Sequence, residues 1–531
     1  MKRYGPALAT IAIYWSAVAL ALAAAIRGTD GHLVYPLDDT YIHMAIARNV
    51  ALHHVWGVTR YGFDSATSSP LWTLLLSLTY LAAGVRVAAP VVLNLIAGTL
   101  IVVMVDAVMR ARSAGLPLRL LVLIAIVFLA PLPTLTVLGM EHLLHALATL
   151  WFVFAAASLL ASSRPPAMAD LVRLGALGAL AAASRYEGLF ALTVVALLLL
   201  ATRGLVAAAV VGAIGVVPAV GYGLWSIAHG WYFLPNSLLL KGTAPEPSVR
   251  GVLTFLSGAP AIHNLLANPH MLVLVVAALT LLVVVTAGPM WDEDVHLLTI
   301  LAGTTLLHMQ FARAGWFYRY EAYLVTLGVA VFGAVAARRL PRPLLSVRPA
   351  AFRVAVAVAL FAVAGVPFVS RGVNAWRNIP AAASNIYHQQ YQMGLFLDRF
   401  YRGGSVAVND IGAVSFLADI HLLDIFGLAN LDILRLRRAQ RYDSSAIAAS
   451  AAREHVDLAI VYPSWLGEYG GVPRQWIQIG QWIVRDNVVL GANAVAFYAV
   501  REGERGPLTA HLQQFFTELP PEVTQTGVYV R

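Results

Sequence analysis

The chain has 531 residues, of which 59% are hydrophobic and only 12% charged, and it contains no cysteine. Soluble domains carry about 25% charged residues, so a soluble globular protein is excluded and a polytopic membrane protein is expected; the lack of Cys excludes disulfides and thiolate metal sites. The net charge of +9 does not call for nucleic acid, because Lys and Arg collect in the cytoplasmic loops of membrane proteins.

The N-terminal stretch "MKRYGPALATIAIYWSAVALALAAAI" has a basic start and a long apolar run without a clear small-residue cleavage site, and it reads as an uncleaved first span. Measured against the ~20 apolar residues that a span requires, the runs 6–26, 88–109, 119–138, 142–162, 170–184, 188–202, 205–228, 269–287, 297–312, 320–336 and 351–369 are the expected membrane helices. The fifth and sixth are short and meet at "SRYEG", the pattern of two short or tilted helices. The run 70–84, "PLWTLLLSLTYLAAG", is short as well and is assigned to a helix lying at the surface.

Loop charge decides between topologies. With Lys2 and Arg3 in the cytoplasm and 70–84 not spanning, Arg110, Arg112, Arg119, Arg164, Arg173, Arg203, Arg338, Arg339, Arg342, Arg348 and Arg353 all fall inside, as the positive-inside rule requires. A spanning 70–84 would move every one of them outside unless another run were lost. The acidic loop "WDEDVH" at 291–296 then also lies inside. This topology leaves a helical membrane domain over 1–369 with a first outer loop at 27–87, and an outer C-terminal domain over 370–531. In that last part "VAVND", "LLDIFGL", "VDLAIVYPSW" and "NAVAFYAV" are strand-like, while "QYQMGLFLDRFY" and "SSAIAASAAREH" have helical spacing, so a small α/β domain is expected.

The distinctive polar clusters all land on the outer face. They are Asp38 and Asp39; Glu141 in "LGMEHLLH"; Arg185 and Glu187 in "SRYEG"; Asn236 and Lys241 in "WYFLPNSLLLKG"; and Arg319 and Glu321, with Tyr318 and Tyr320, in "GWFYRYEAY". "DDTYIHMAIARNVAL" reads as an amphipathic interfacial helix, with one acid as its N-cap. A cap accounts for one acid and leaves the other idle, whereas two carboxylates can divide the work of a base and of a group that orients it. Lys241 and Arg319 lie beside aromatics and would be ordinary interfacial residues if isolated. Sharing a face with several acids, they suit a lipid phosphate, as the acids suit sugar hydroxyls. His142 and His145 have no third ligand at a metal-site spacing and read as helix-end residues. "YRGGS" at 401–405 lacks a phosphate-loop pattern, and Asp410 and Asp424 read as turn formers after strands.

Together "DDTYIHMAIARN", "SSPLWTLLL", "GMEH", "SRYEG", "LPNSLLLKG" and "WFYRYEAYL" resemble, in order and spacing, the bacterial GT-C superfamily of membrane glycosyltransferases, and within it the arabinofuranosyltransferase-like subgroup. "VAVNDIGAVSFLADIHLLDIFGLAN" looks like the opening of that subgroup's C-terminal domain. The resemblance implies a polytopic α-helical GT-C-like fold with an α/β domain outside a bacterial inner membrane. It implies inverting transfer of a sugar, arabinofuranose or a hexose, from a polyprenyl-phosphate donor to a glycan, lipid or protein acceptor. Asp38 and Asp39 match the acidic pair that supplies the base, Glu141 the acid opening a later span, and Lys241 and Arg319 the basic positions near the donor phosphate. Arg185, Glu187, Asn236, Tyr318 and Tyr320 complete the expected substrate site. "SRYEG" departs from relatives that often carry Pro before the Glu. No cofactor is called for, and a divalent metal is left open. The rival reading is a transporter or flippase for a lipid-linked saccharide, which would hold its binding groups near the bilayer midplane, often in inverted repeats.

Overall fold

The computed structural model describes residues 4–242, 249–286, 292–339 and 365–530. Seven stretches in it are long and apolar enough to cross a membrane: Gly5–Arg27, Ala89–Ala111, Leu116–Leu138, His142–Ala161, Leu205–Ala228, Pro269–Thr286 and Ala322–Arg339. The third is two helices, Leu116–Leu129 and Leu132–Leu138, because Pro131 and Pro133 cannot continue the backbone ladder. The runs at 170–184, 188–202 and 297–312 form the helices Met168–Ser184, Gly188–Arg203 and Glu293–Phe311. Most of the run 351–369 lies outside the described residues; from 365 the chain is helical to 377.

The two short helices pack on each other and on Leu205–Ala228. Glycines permit the approach: a Cβ at Gly175 would lie 2.8 Å from Ile214, and one at Gly215 would lie 2.5 Å from Leu192. Small residues at helix crossings are how membrane helices gain packing without a hydrophobic driving force. Pro70–Ala83 has 14 residues, about 21 Å of helix against a hydrocarbon core of about 30 Å, and it packs against Asp38–His53.

The basic and acidic segments expected on the inner side meet at one end of the bundle. Arg112 bridges Asp294 (2.7 Å) and Glu293 (3.0 Å), Arg339 reaches Asp294 (3.0 Å), and Arg110 and Arg119 share Asp106 (2.9 and 2.6 Å). Asp292 caps Glu293–Phe311 by accepting from the amides of Asp294 and Val295, the usual use of an acid at a helix start.

The C-terminal domain holds a six-stranded mixed sheet: β1 Ser405–Val408, β2 His421–Asp424, β3 Leu458–Val461, β4 Ile477–Ile483, β5 Ala494–Ala499 and β6 Thr524–Gly527, in spatial order β2-β1-β3-β5-β4-β6. The pairs β1–β2 and β1–β3 are parallel, with Val408 opposite Asp424 and Ile460; the remaining pairs are antiparallel. The four strand-like runs are β1, β2, β3 and β5, and the two helical runs are Gln392–Phe400 and Ser444–Arg453. Strands β4 and β6 are additional.

Side chains alternate across a strand, and β1 sorts them between two cores. Ala407 packs with Leu423, Ala459 and Val461 on one face. Val406 and Val408 pack on the other with Phe396, Trp482 and Phe497, and that core also contains Ile42, Ile46, Val58 and Ala66 from the segment between the first two long apolar helices. Asp38–His53 is therefore not an interfacial amphipathic helix. It is buried on nearly every side, with Pro70–Ala83 on one flank and the short helix Gly412–Leu417 on another.

Candidate active site

The acid pair opens the helix Asp38–His53, but neither acid caps it: the N-cap is Leu37, with no side-chain capping bond. The two carboxylates instead point to different partners. Asp38 accepts from the amides of Gly412 (2.7 Å) and Ala413 (2.8 Å), the start of the helix Gly412–Leu417 in the C-terminal domain. It caps a helix 374 residues away. Asp39 receives the Arg319 guanidinium at 2.5 Å and the Lys241 ammonium at 3.5 Å.

Exposure divides these groups. The Asp39 and Lys241 side chains are 25% and 33% exposed, whereas that of Arg319 is 1% exposed. Burial by itself would raise the Asp39 carboxyl, but the charges of Lys241 and Arg319 outweigh it and hold Asp39 well below the usual carboxylate range. Asp38 goes the other way. Burial, and then the charge of Asp410, push it up to about 8 against the pull of the two amides.

Arg319 links Asp39 to a second cluster. Its guanidinium donates to the Tyr320 hydroxyl (3.2 Å) and lies 5.0 Å from that ring's centre; Arg185 lies 5.7 Å from the same ring. Arg185 bridges Glu141 and Glu187, the latter at 2.7 and 3.1 Å. Glu141 is fully buried, accepts from Ser68 (3.2 Å) and faces His43 (3.4 Å). Charges are thus arrayed as Asp39, Arg319, Arg185 and Glu141, with both guanidiniums close to the Tyr320 ring. Buried charges persist in low dielectric only when paired in this way.

The loop that presents Arg319 is bent sharply. Gly315, Trp316, Phe317 and Tyr318 have φ of 88°, 36°, 56° and 63°, and the turn is held by Glu321, which accepts from the Gly315 amide (2.8 Å) and pairs with Arg371 (2.9 Å) and His270 (3.2 Å). A run of bulky residues in the left-handed region is costly, of order 1–3 kcal/mol each, and is found where surrounding contacts over-determine it.

Of the expected site residues, Asp39, Lys241 and Arg319 converge, and Glu141, Arg185, Glu187 and Tyr320 adjoin them. Two expected substrate residues lie elsewhere. The Asn236 amide donates to the carbonyls of Gly427 (3.1 Å) and Leu428 (3.0 Å) and so ties the membrane domain to the loop after β2. Tyr318 gives its carbonyl and ring face to Arg371. Asp410, read as a turn former, instead stands beside Asp38. It accepts from Gln390 (2.8 Å) and lies 2.7 Å from the Tyr462 hydroxyl. Its position after β1, at the carboxyl edge of the parallel strands, is where α/β sheets place functional groups, and that was the available signal. Asp424 does form a turn, accepting from the amides of Phe426, Gly427 and Ala429. Among the described residues, no three His, Cys, Asp or Glu side chains gather as a metal-ion site.

Residues 384–498 match a family described as a domain of unknown function, DUF8728. No curated protein sequence matches the chain. Among solved structures the chain is similar to ArnT from Cupriavidus metallidurans bound to undecaprenyl phosphate, with 14% identity, 95% of this chain and 99% of that chain covered, and a TM-score of 0.54. ArnT in the apo state gives 15% identity over 93% of this chain and 99% of that one, with a TM-score of 0.48. Arabinofuranosyltransferase AftD from Mycobacteria gives 15% identity over 92% of this chain but 41% of that one, with a TM-score of 0.40. At these identities the likeness is one of fold: the chain is a polytopic helical membrane protein arranged as ArnT is, with a C-terminal domain built on a small mixed sheet.

Proposed function

We propose that the protein is an inverting membrane glycosyltransferase that moves a sugar, arabinofuranose or a hexose, from a polyprenyl-phosphate donor to an envelope glycan, lipid or protein acceptor on the outer face of the bacterial inner membrane. The observation that carries this reading is the meeting of one accessible carboxylate, Asp39, with two cations from remote segments, Lys241 and Arg319. The fold shared with ArnT, whose structure holds undecaprenyl phosphate, supports it.

The acceptor hydroxyl is a poor nucleophile and gains from a carboxylate that takes its proton. In the resting arrangement Asp39 is held by both cations and is a weak base. The donor phosphate competes for the same cations, and drawing them away raises the proton affinity of Asp39 once the donor is in place. The acceptor oxygen then attacks the anomeric carbon from the side opposite the phosphate, and its proton passes to Asp39. The bond from that carbon to the phosphate oxygen breaks with its electron pair leaving on the phosphate, where Lys241 and Arg319 stabilise the developing charge. A single displacement inverts the centre. Glu141, Arg185, Glu187 and Tyr320 hold Arg319 in place from behind, while Asn236 and Tyr318 act on the backbone framework.

The test is a lipid-linked sugar transfer assay with a panel of polyprenyl-phosphate sugars, comparing wild type with Asp39→Asn. Transfer from one donor with inverted product stereochemistry, lost in the variant, is the expected result. Absence of transfer from every donor, together with accumulation of intact lipid-linked saccharide across a vesicle membrane, would favour a flippase.

A further inference from the structure

We propose that the C-terminal domain is a working part of the catalytic site, and that Asp38, Arg48 and Gly412 form the joint through which it positions Asp39. This rests on the assignment of Asp39 as the base.

The joint grips the helix Gly412–Leu417 at both ends. Asp38 accepts from its first amides, while Arg48, further along the same first-loop helix, donates to the carbonyls of Phe416 (2.5 Å) and Ser415 (3.1 Å). The two acceptor oxygens of Asp38 at the helix start and the Arg48 guanidinium at its end each satisfy groups that the helix leaves unpaired. Two anchor points on one rigid helix fix its rotation as well as its distance. Because Asp39 follows Asp38 directly, the rotation that seats Asp38 on the amides sets the direction of the Asp39 carboxylate.

Gly412 makes the close approach possible. A Cβ there would fall 2.0 Å from the Asp38 carbonyl oxygen and 2.8 Å from its carboxylate, so any side chain forces the two backbones apart. A third contact reinforces the joint beyond the helix: Arg60 pairs with Asp419 at 2.8 Å and Tyr61 stacks on His421 with centroids 3.7 Å apart. On the domain side, the π-helical turn Tyr387–Tyr391 places Gln389 and Gln390 against Tyr462, which adjoins Asp410. Asp38 is on this account a positioning residue, and of the acid pair only Asp39 meets substrate.

The experiment uses the full-length membrane protein with Gly412→Ala, Arg48→Met, Arg48→Lys and Asp39→Asn. Three quantities are read: kcat for transfer, binding of a sugar-free polyprenyl phosphate, and amide exchange over 412–417. A displacement near 1 Å at a reacting group can cost on the order of 100-fold. Gly412→Ala and Arg48→Met should therefore lower kcat roughly 10–100-fold, accelerate exchange over 412–417, and leave phosphate binding unchanged. Arg48→Lys keeps one donor for the carbonyls and should recover part of the rate, which keeps the test decisive where Gly412→Ala folds poorly. Accelerated exchange with wild-type kcat in the joint variants, and Asp39→Asn inactive, would overturn the joint alone. Full activity in Asp39→Asn would overturn the base assignment on which the joint acts.

Discussion

The Asp39 carboxylate and the Arg319 guanidinium meet at 2.5 Å although 280 residues separate them. A partly exposed acid is here held by a buried cation, and the desolvated partner cannot exchange its counter-charge for water. Arg319 is paired with the Asp39 carboxylate, and on the proposed mechanism the donor phosphate takes over that role when it binds.

Asp39→Asn should abolish transfer, by roughly 10²–10⁴-fold as for loss of a general base, while Asp38→Asn should act through placement and lose less. Thermal unfolding and donor binding in parallel separate these effects from loss of fold. Equal turnover in Asp39→Asn and wild type would sink the base role.

Lys241→Ala and Arg319→Ala should each weaken binding of a non-transferable polyprenyl phosphate about 10–100-fold, as expected for losing a hydrogen bond worth ~1.5–3 kcal/mol to a charged group. The double variant should lose less than the sum. Arg319→Ala should in addition lower stability, because it removes the buried guanidinium packed on Tyr320. Unchanged affinity in both single variants contradicts the assignment.

Arg185→Met should be among the most destabilising single changes at this end of the bundle. It strands Glu141 and Glu187 without their shared cation, and breaking a buried pair on one side costs about 3–5 kcal/mol. The melting temperature and yield in detergent report it, with the exposed pair Arg173–Asp170 as the control that should change little.

Stability should carry a pH signature at the joint. The groups facing Asp38 are Asp39, Asp410, Tyr41 and Tyr462, with Lys241 acting on Asp410. Burial, and then the charge of Asp410, push Asp38 up to about 8 in the folded chain, above its ordinary 3.8, so the folded state keeps a proton that the unfolded chain releases. The stabilising contribution is full below the unfolded value and is lost as pH rises through about 8. Asp410→Asn removes the repelling charge and should flatten the decline in melting temperature between pH 6 and 9. An identical slope in wild type and variant would dismiss the coupling.

The chain contains no cysteine, so single introduced cysteines give clean topology labels. Gly84 and Lys241 should label from outside, and Arg112 and Arg203 only after permeabilisation. Cytoplasmic labelling at Lys241 would invert the scheme.

The helices were legible because apolar length is a coarse and strong signal, and so was the grouping of Asp39, Lys241 and Arg319, since charges at the ends of successive apolar runs share a face. What sequence could not show was which acid does what. A side chain at a helix start normally caps its own helix, and nothing local reveals that Asp38 caps one 374 residues on. Asp410 is hidden for the same reason: its neighbours in sequence describe a turn, and its neighbour in space belongs to another domain. Strand β6 at Thr524–Gly527 lacks the apolar alternation that marks a strand. The left-handed turn at 315–318 carries one glycine for four such residues and left no pattern to read.

The core shared by Ile42, Ile46, Val58 and Ala66 with the sheet moves the seam along which this protein can be cut. Exchanging C-terminal domains between relatives at the end of the last membrane helix would leave those four apolar side chains facing a foreign surface. The transplantable unit is discontinuous: the segment that carries those four residues has to travel with the domain, and a graft that carries both should assemble where the simple swap does not.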